Sequence, residues 1–212
     1  MKPSSIKVLL IEDNPGDARL IQEALKESGD SFFEVSLEPT LGAGLSHLLE
    51  SLPDVILLDL MLPDSSGEVT FKEIHARAEQ LPILVLTGLR DQAQALAAVR
   101  EGAQDYIAKG EMTGALLANS IRYAIERKRV EQMLRESEQR YREVFDGVKD
   151  AIFIETPNGR ILDANLSACE TYGYTREQFL TKSVADLVPP RSIWSRWNPK
   201  IGQLLRFIRS KR

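Results

Sequence analysis

Through residues 1–127, short β-branched or leucine-rich runs alternate with amphipathic stretches, and this alternation narrows the possible folds more than any other feature. The runs Ile6–Glu12, Phe33–Leu37, Val55–Asp59, Ile83–Thr87 and Asp105–Ala108 read as strands. Helical patterns fall between them at about 17–28, 41–51, 67–78 and 91–101, with a fifth starting near 113. Strands separated by helices predict an α/β fold, a five-stranded parallel sheet flanked by five helices. The first and third runs are almost continuously apolar, as central strands buried on both faces must be. In such sheets the ligand crevice lies at the carboxyl ends of the strands, near the point where the strand order reverses. Glu12, Asp13, Asp59 and Thr87 all fall at strand ends of that kind.

Composition bounds the remaining possibilities. With 43% apolar and 27% charged residues, the chain has the balance of a globular protein rather than a disordered one. Its apolar runs are far shorter than the roughly 18 residues that a membrane span requires, and Met1–Ser5 leads into a charged strand end without the apolar core of a signal peptide. Cys169 is the one cysteine, which excludes an internal disulfide and fits a reducing compartment; a cytoplasmic location is expected. Residues 191–212 carry Arg191, Arg196, Lys200, Arg206, Arg209, Lys211 and Arg212 and no acid, so the acidic excess of the rest exceeds the overall net charge of −4.

Several carboxylates meeting in one crevice repel one another and call for a cation. Glu12 and Asp13 at the end of the first strand and Asp59 at the end of the third offer hard oxygen ligands suited to Mg²⁺. Lys109, after the fifth strand, places a fixed positive charge beside a dianion, and Thr87 offers a hydroxyl. Nucleophile, metal, cation and hydroxyl are the parts needed for phosphoryl transfer to a carboxylate.

The run Lys7-Val-Leu-Leu-Ile-Glu-Asp-Asn14, then Asp59-Leu-Met-Leu-Pro63 with Gly67, Leu86-Thr-Gly88, and Asp105-Tyr-Ile-Ala-Lys109 resembles the response-regulator receiver family of bacterial two-component signalling. The resemblance implies a sheet in the order 2-1-3-4-5 and a phosphoacceptor at Asp59, charged by the phosphohistidine of a sensor histidine kinase or by a phosphotransfer protein. It implies that Asp13 binds Mg²⁺ directly, that Glu12 does so through water, and that the Met61 backbone carbonyl is a further ligand together with Asp59. Lys109 would pair with the phosphoryl oxygens, Thr87 would reach the phosphoryl group on activation, and Tyr106 would be the aromatic switch that follows it inward. The family commonly has proline after the lysine, where this chain has Gly110, which permits a tight loop without enforcing one. Met61 and Leu89 flank the site and neither can orient an attacking water, so slow self-dephosphorylation is expected.

From Thr113 to about Asp146 the chain holds no proline and only Gly114, which allows one long helix. Leu116, Ser120, Tyr123, Arg127, Val130, Leu134, Ser137, Tyr141 and Val144 recur at alternating four- and three-residue steps, the spacing of a two-stranded coiled coil. A homodimer through the fifth helix and a linker at 128–146 is one reading. A single solvated helix with interleaved charges is the other.

Beyond the helix, Ala151–Glu155, the turn Pro157-Asn158-Gly159 and Arg160–Asn165 read as a hairpin, with short helices near Leu166–Tyr172 and Arg176–Leu180. Ser137-Glu-Gln-Arg-Tyr-Arg-Glu-Val-Phe145, Asp150-Ala-Ile-Phe-Ile-Glu-Thr156, Gly159-Arg-Ile-Leu-Asp-Ala-Asn165 and Gly173-Tyr-Thr-Arg-Glu-Gln-Phe179 resemble the start of a PAS sensor domain. That family's fold needs about three more strands, so a partial α+β module is expected over 147–190, with the parent truncated or 191–212 a non-native basic tail. Ile201, Leu204, Leu205 and Ile208 share one helical face of that tail, which either packs or contacts an anionic partner. No helix-turn-helix is found, and no nucleic acid is expected as a partner. Enzyme activity is expected to stop at the chain's own Mg²⁺-dependent phosphorylation and dephosphorylation. The competing possibility is the front part of a sensor histidine kinase or cyclic-dinucleotide enzyme whose catalytic domain lies in further sequence.

Overall fold

Alternation along the central strands sorts their side chains onto two helical layers. The computed structural model describes residues 5–29, 33–88 and 91–187; Leu89 and the basic tail at 191–212 lie outside the described residues. Strands β1 (Ile6–Ile11), β2 (Phe33–Glu38), β3 (Val55–Asp59), β4 (Ile83–Thr87) and β5 (Asp105–Ala108) pair in parallel. Their order is β2-β1-β3-β4-β5, as the family resemblance implies. Helices α1 (Pro15–Glu27), α2 (Leu41–Glu50), α3 (Glu68–Arg77), α4 (Gln92–Arg100) and α5 (Gly114–Gly147) follow the strands in turn.

Leu9, Ile11, Ile56 and Leu58 face one way and pack with Phe71, Ile74, Ala95 and Ala98 of α3 and α4. Val8, Leu10, Val55 and Leu57 face the other way and pack with Ile21 and Leu25 of α1 and with Leu117 and Ile121 of α5. All five residues of β3 are buried. Each fully buried leucine or isoleucine contributes about 1.5–3 kcal/mol relative to exposure, so an order that puts β3 at the centre, between β1 and β4, buries all four of its apolar residues. The sheet ends slightly earlier than the residue pattern predicts: Ile11 is the last residue of β1, and Glu12 and Asp13 begin the loop.

The chain divides into two contact-defined units between Arg135 and Glu136, within α5. In the first unit, α5 buries Leu117, Ala118, Ile121 and Ala124. The residues of the predicted heptad seam lie on another face, and Tyr123 at 76%, Val130 at 51% and Leu134 at 59% are exposed. The second unit holds an antiparallel pair, β6 (Phe153–Glu155) and β7 (Ile161–Ala164), joined by a turn in which Gly159 takes φ +84°. Helices α6 (Leu166–Tyr172) and α7 (Arg176–Leu180) stand where the pattern predicts, and a one-turn helix α8 (Val184–Leu187) is added. Phe179 anchors this core, with Ile161, Ala164, Ala168 and Leu187 around it and Cys169 packed against it.

Candidate functional site

The carboxyl ends of β1, β3 and β5 bring three short loops to one crevice. Glu12 follows β1 and is fully buried, and its Oε1 accepts the Asn14 N–H at 3.1 Å. Asn14 caps α1, its side chain accepting from the N–H groups of Gly16 and Asp17, and Pro15 suits the first helical turn. That cap sends the chain sharply away from the sheet, leaving Asp13 exposed at the crevice mouth. Asp59 ends β3 and is buried to 8% exposure. Its Oδ1 accepts the Met61 N–H at 2.8 Å, and its Oδ2 lies 2.5 Å from Lys109 Nζ.

Lys109 opens a short 3₁₀ turn (Lys109–Glu111) directly after β5. Its ammonium stands 2.6 Å from Glu12 Oε2 and 2.9 Å from Asp17 Oδ2, besides Asp59. Burial alone would lower the affinity of this amine for its proton. The hydrogen bonds to Asp17, Asp59 and Glu12 outweigh that effect and hold Lys109 well above the ordinary lysine value. Glu12 moves the other way from most paired acids: burial, reinforced by the Asp59 charge, outweighs Lys109 and raises its carboxyl to about 7.

Glu12, Asp13 and Asp59 each offer a carboxylate oxygen, and these oxygens lie within 4.8 Å of one another. Glu12 Oε2 is buried, with the Lys109 ammonium 2.6 Å away. Three clustered hard oxygen donors, two of them on buried side chains, fit a small divalent cation such as Mg²⁺.

Thr87 ends β4 and is 2% exposed; its hydroxyl donates to the Gly88 carbonyl at 3.1 Å rather than to Asp59. Tyr106, in β5, is partly buried against the core that β1, β3, α3 and α4 share. Met61 is exposed and lies in a two-residue ladder, Met61–Leu62 with Ser65–Ser66, that the residue pattern does not predict. Asp64, at the tip of this ladder, accepts the N–H groups of Leu41 and Gly42 at 2.9 Å each, tying the loop after Asp59 to the start of α2. Those two hydrogen bonds hold its carboxyl below the usual range. Gly110 has ordinary backbone geometry, with no cis peptide bond among the described residues. Sequence reasoning passed over Asp17 and Asp64. The available signal for Asp17 was an acid in the first turn of the helix that follows the Glu12-Asp13 pair.

His47 and His75 stand away from the crevice, as packing and surface residues: His47 Nδ1 is 3.0 Å from Glu38 Oε1, and His75 stacks on Phe71. In the second unit, the Arg176 guanidinium joins Asp146 at 2.9 Å and Asp163 at 3.0 Å, and Arg142 reaches Asp163 at 2.9 Å. These pairs tie the last turns of α5 to β7 and α7.

Residues 8–120 match the response regulator receiver domain model, and residues 149–210 match the PAS domain model. The second match runs into the residues that composition sets apart as a basic tail. The chain is 25% identical to the sensor histidine kinase TmoS of Ectopseudomonas mendocina over 87% of its own length and 22% of that protein. It is 33% identical to the KDP operon transcriptional regulatory protein KdpE of Escherichia coli over 57% of its length and 51% of that protein. It thus spans about half, or less, of these two relatives. A solved response regulator receiver domain protein from Clostridium thermocellum superposes with a TM-score of 0.52 at 30% identity, over 59% of this chain and 98% of that one.

Proposed function

The chain belongs to the response regulator receiver domain family, and on that premise we propose that Asp59 takes a phosphoryl group from a sensor histidine kinase or phosphotransfer protein in a Mg²⁺-dependent step. The observation that carries this reading is the meeting of Asp59, Lys109 and the Glu12-Asp13 pair at the carboxyl end of one parallel sheet. In the reading, Asp13 and Asp59 hold the metal directly, Glu12 holds it through water, and the Met61 carbonyl completes the protein's share. Bound there, Mg²⁺ would neutralise charge on the entering phosphoryl oxygens.

The residues of the chain do the rest. Asp59 is the nucleophile, with its carboxylate oriented by the Met61 N–H. Lys109 supplies a fixed positive charge on the side of α1. Thr87, whose hydroxyl now serves the Gly88 carbonyl, exchanges that partner for a phosphoryl oxygen, and Tyr106 moves into the space it leaves. The altered face of α4, β5 and α5 passes the state along α5 to the PAS region. A homodimer forms through the exposed seam of α5, and the protein works in the cytoplasm without binding nucleic acid. Among the described residues no helix is long and apolar enough to cross a membrane. The chain's own chemistry stops at gaining and losing the phosphoryl group.

A second reading has one observation in its favour. The match to a sensor histidine kinase spans both modules of this chain, so the same receiver and PAS pair fits within a longer kinase whose catalytic domain lies in further sequence.

Incubation with acetyl phosphate and Mg²⁺ tests the main reading. Intact mass is expected to show one added phosphoryl group on the wild-type chain and none on Asp59→Asn. Labelling of that variant at another residue would overturn the assignment.

A further inference from the structure

Lys109 has three carboxylate partners, and one of them has no part in the site as read so far. Glu12 and Asp59 belong to the metal-holding set. Asp17 does not, yet its Oδ2 accepts from Lys109 Nζ at 2.9 Å across 92 residues of sequence. Asp17 lies in the first turn of α1, where an acid is ordinarily explained by the helix dipole. Here the Asn14 side chain already accepts the Gly16 and Asp17 N–H groups. The Asp17 carboxylate makes no cap and reaches out of the helix to the lysine.

We propose that Asp17 is a positioning residue for phosphoryl transfer to Asp59, the acceptor that keeps the Lys109 ammonium at the crevice while its other two partners are engaged in the reaction. The proposal rests on the reading of Asp59 as phosphoacceptor. In the transfer from acetyl phosphate, an ionised Asp59 oxygen forms a bond to phosphorus while the bond from phosphorus to the acetate oxygen breaks; from a phosphohistidine the bond that breaks is the one from phosphorus to the imidazole nitrogen. Acetate leaves with the electron pair as a stable anion, so with this donor no proton has to move. An Asp59 oxygen forming that bond is a poorer acceptor for Lys109, whose N–H must pass to an oxygen of the entering group.

An ammonium on a four-carbon stem loses considerable rotamer freedom when held in one place. The backbone after it gives little bracing: Gly110 follows, and a Cβ built there would meet nothing within 4 Å. Asp17 supplies an acceptor that takes no part in bond making and enters from a rigid helix rather than a loop. Its side chain is 34% exposed against 18% for Lys109, so solvent weakens the pair and the effect is bounded.

Single-turnover phosphorylation of the full chain by acetyl phosphate, with Mg²⁺ binding followed by calorimetry, is the test. Asp17→Asn is expected to lower the maximal rate about five- to tenfold while the half-saturating acetyl phosphate and the Mg²⁺ affinity move less than about threefold. Asp17→Ala should behave alike, and thermal melting checks that both variants fold. On a Lys109→Ala background, Asp17→Asn should have no further effect, whereas a merely structural role would cost the same on either background. An unchanged or faster maximal rate, the same loss without Lys109, or a Mg²⁺ affinity that falls in step with the rate would each overturn the proposal. A wild-type chain that takes no phosphoryl group, or an Asp59→Asn chain that still does, overturns instead the reading beneath it.

Discussion

Glu12 Oε2 and Lys109 Nζ stand 2.6 Å apart at the floor of the crevice, yet burial prevails over the pairing and the Glu12 carboxyl titrates at about 7. The folded value lies above the ordinary 4.5, so the metal-free folded chain holds this proton more tightly than the unfolded chain does. The stabilisation from that proton is complete below about pH 4.5 and is lost as pH rises through about 7. A divalent cation held beside Glu12, even through water, favours the ionised carboxylate and so competes with the same proton. Mg²⁺ affinity is therefore expected to rise between about pH 6 and about pH 8, and in Glu12→Gln to be weaker and nearly flat over that range. Calorimetric titration at several pH values checks this, and an equally steep rise in Glu12→Gln would remove Glu12 as the cause.

Close packing of α5 on α1 depends on one glycine. A Cβ at Gly114 would come within 2.3 Å of the Ala24 carbonyl oxygen, a backbone atom that cannot swing aside. Gly114→Ala is expected to destabilise the first unit by about 1–3 kcal/mol and to lower its thermal midpoint by several degrees. Gly110→Ala, with open space around it, is the control and should move the midpoint far less. Calorimetric melting of the two variants decides.

The second unit hangs on Asn165. Its amide nitrogen faces the carbonyls of Phe145, Val148 and Asp150 at 3.1, 3.2 and 2.9 Å, and its oxygen accepts from Ile152 and Ala168 at 2.9 Å each. Asn165→Asp sets a carboxylate oxygen against three carbonyls in a fully buried position. A loss of about 3 kcal/mol or more is expected, enough to remove the unit's own melting transition. Phosphorylation at Asp59 should persist, because the receiver unit has its own core. A variant that melts like wild type would show that the asparagine is dispensable.

The proposed dimer along α5 predicts a sharp response to charge on its exposed stripe. Val130→Glu with Leu134→Glu adds two like charges per chain to positions that are 51% and 59% exposed in the single chain. Self-association, measured by sedimentation velocity, is expected to weaken by at least about tenfold with little change in thermal midpoint. A wild-type chain that sediments as a monomer at all accessible concentrations would leave the solvated single helix as the correct description of 128–146.

Much of the receiver was legible in residue order because the signals are local. β3 reads as a central strand since all five of its residues are apolar or the terminal Asp59, and a buried parallel strand demands that. The turn at Gly159 and the run of α5 follow likewise from neighbouring residues. The Met61–Ser66 ladder was not legible, because two-residue arms carry no periodicity.

Periodicity and turn chemistry along the chain thus determined which segments became strands and helices, and that Glu12, Asp13, Asp59, Thr87 and Lys109 come at strand ends. Only the tertiary structure decided that Asp17 shares Lys109 with Glu12 and Asp59, that Asp64 clamps the start of α2, and that the Thr87 hydroxyl turns to Gly88. The reason is physical: alternation along a strand is set by backbone geometry between neighbours, whereas a contact across 92 residues depends on the register and packing of whole elements, which local pattern does not encode.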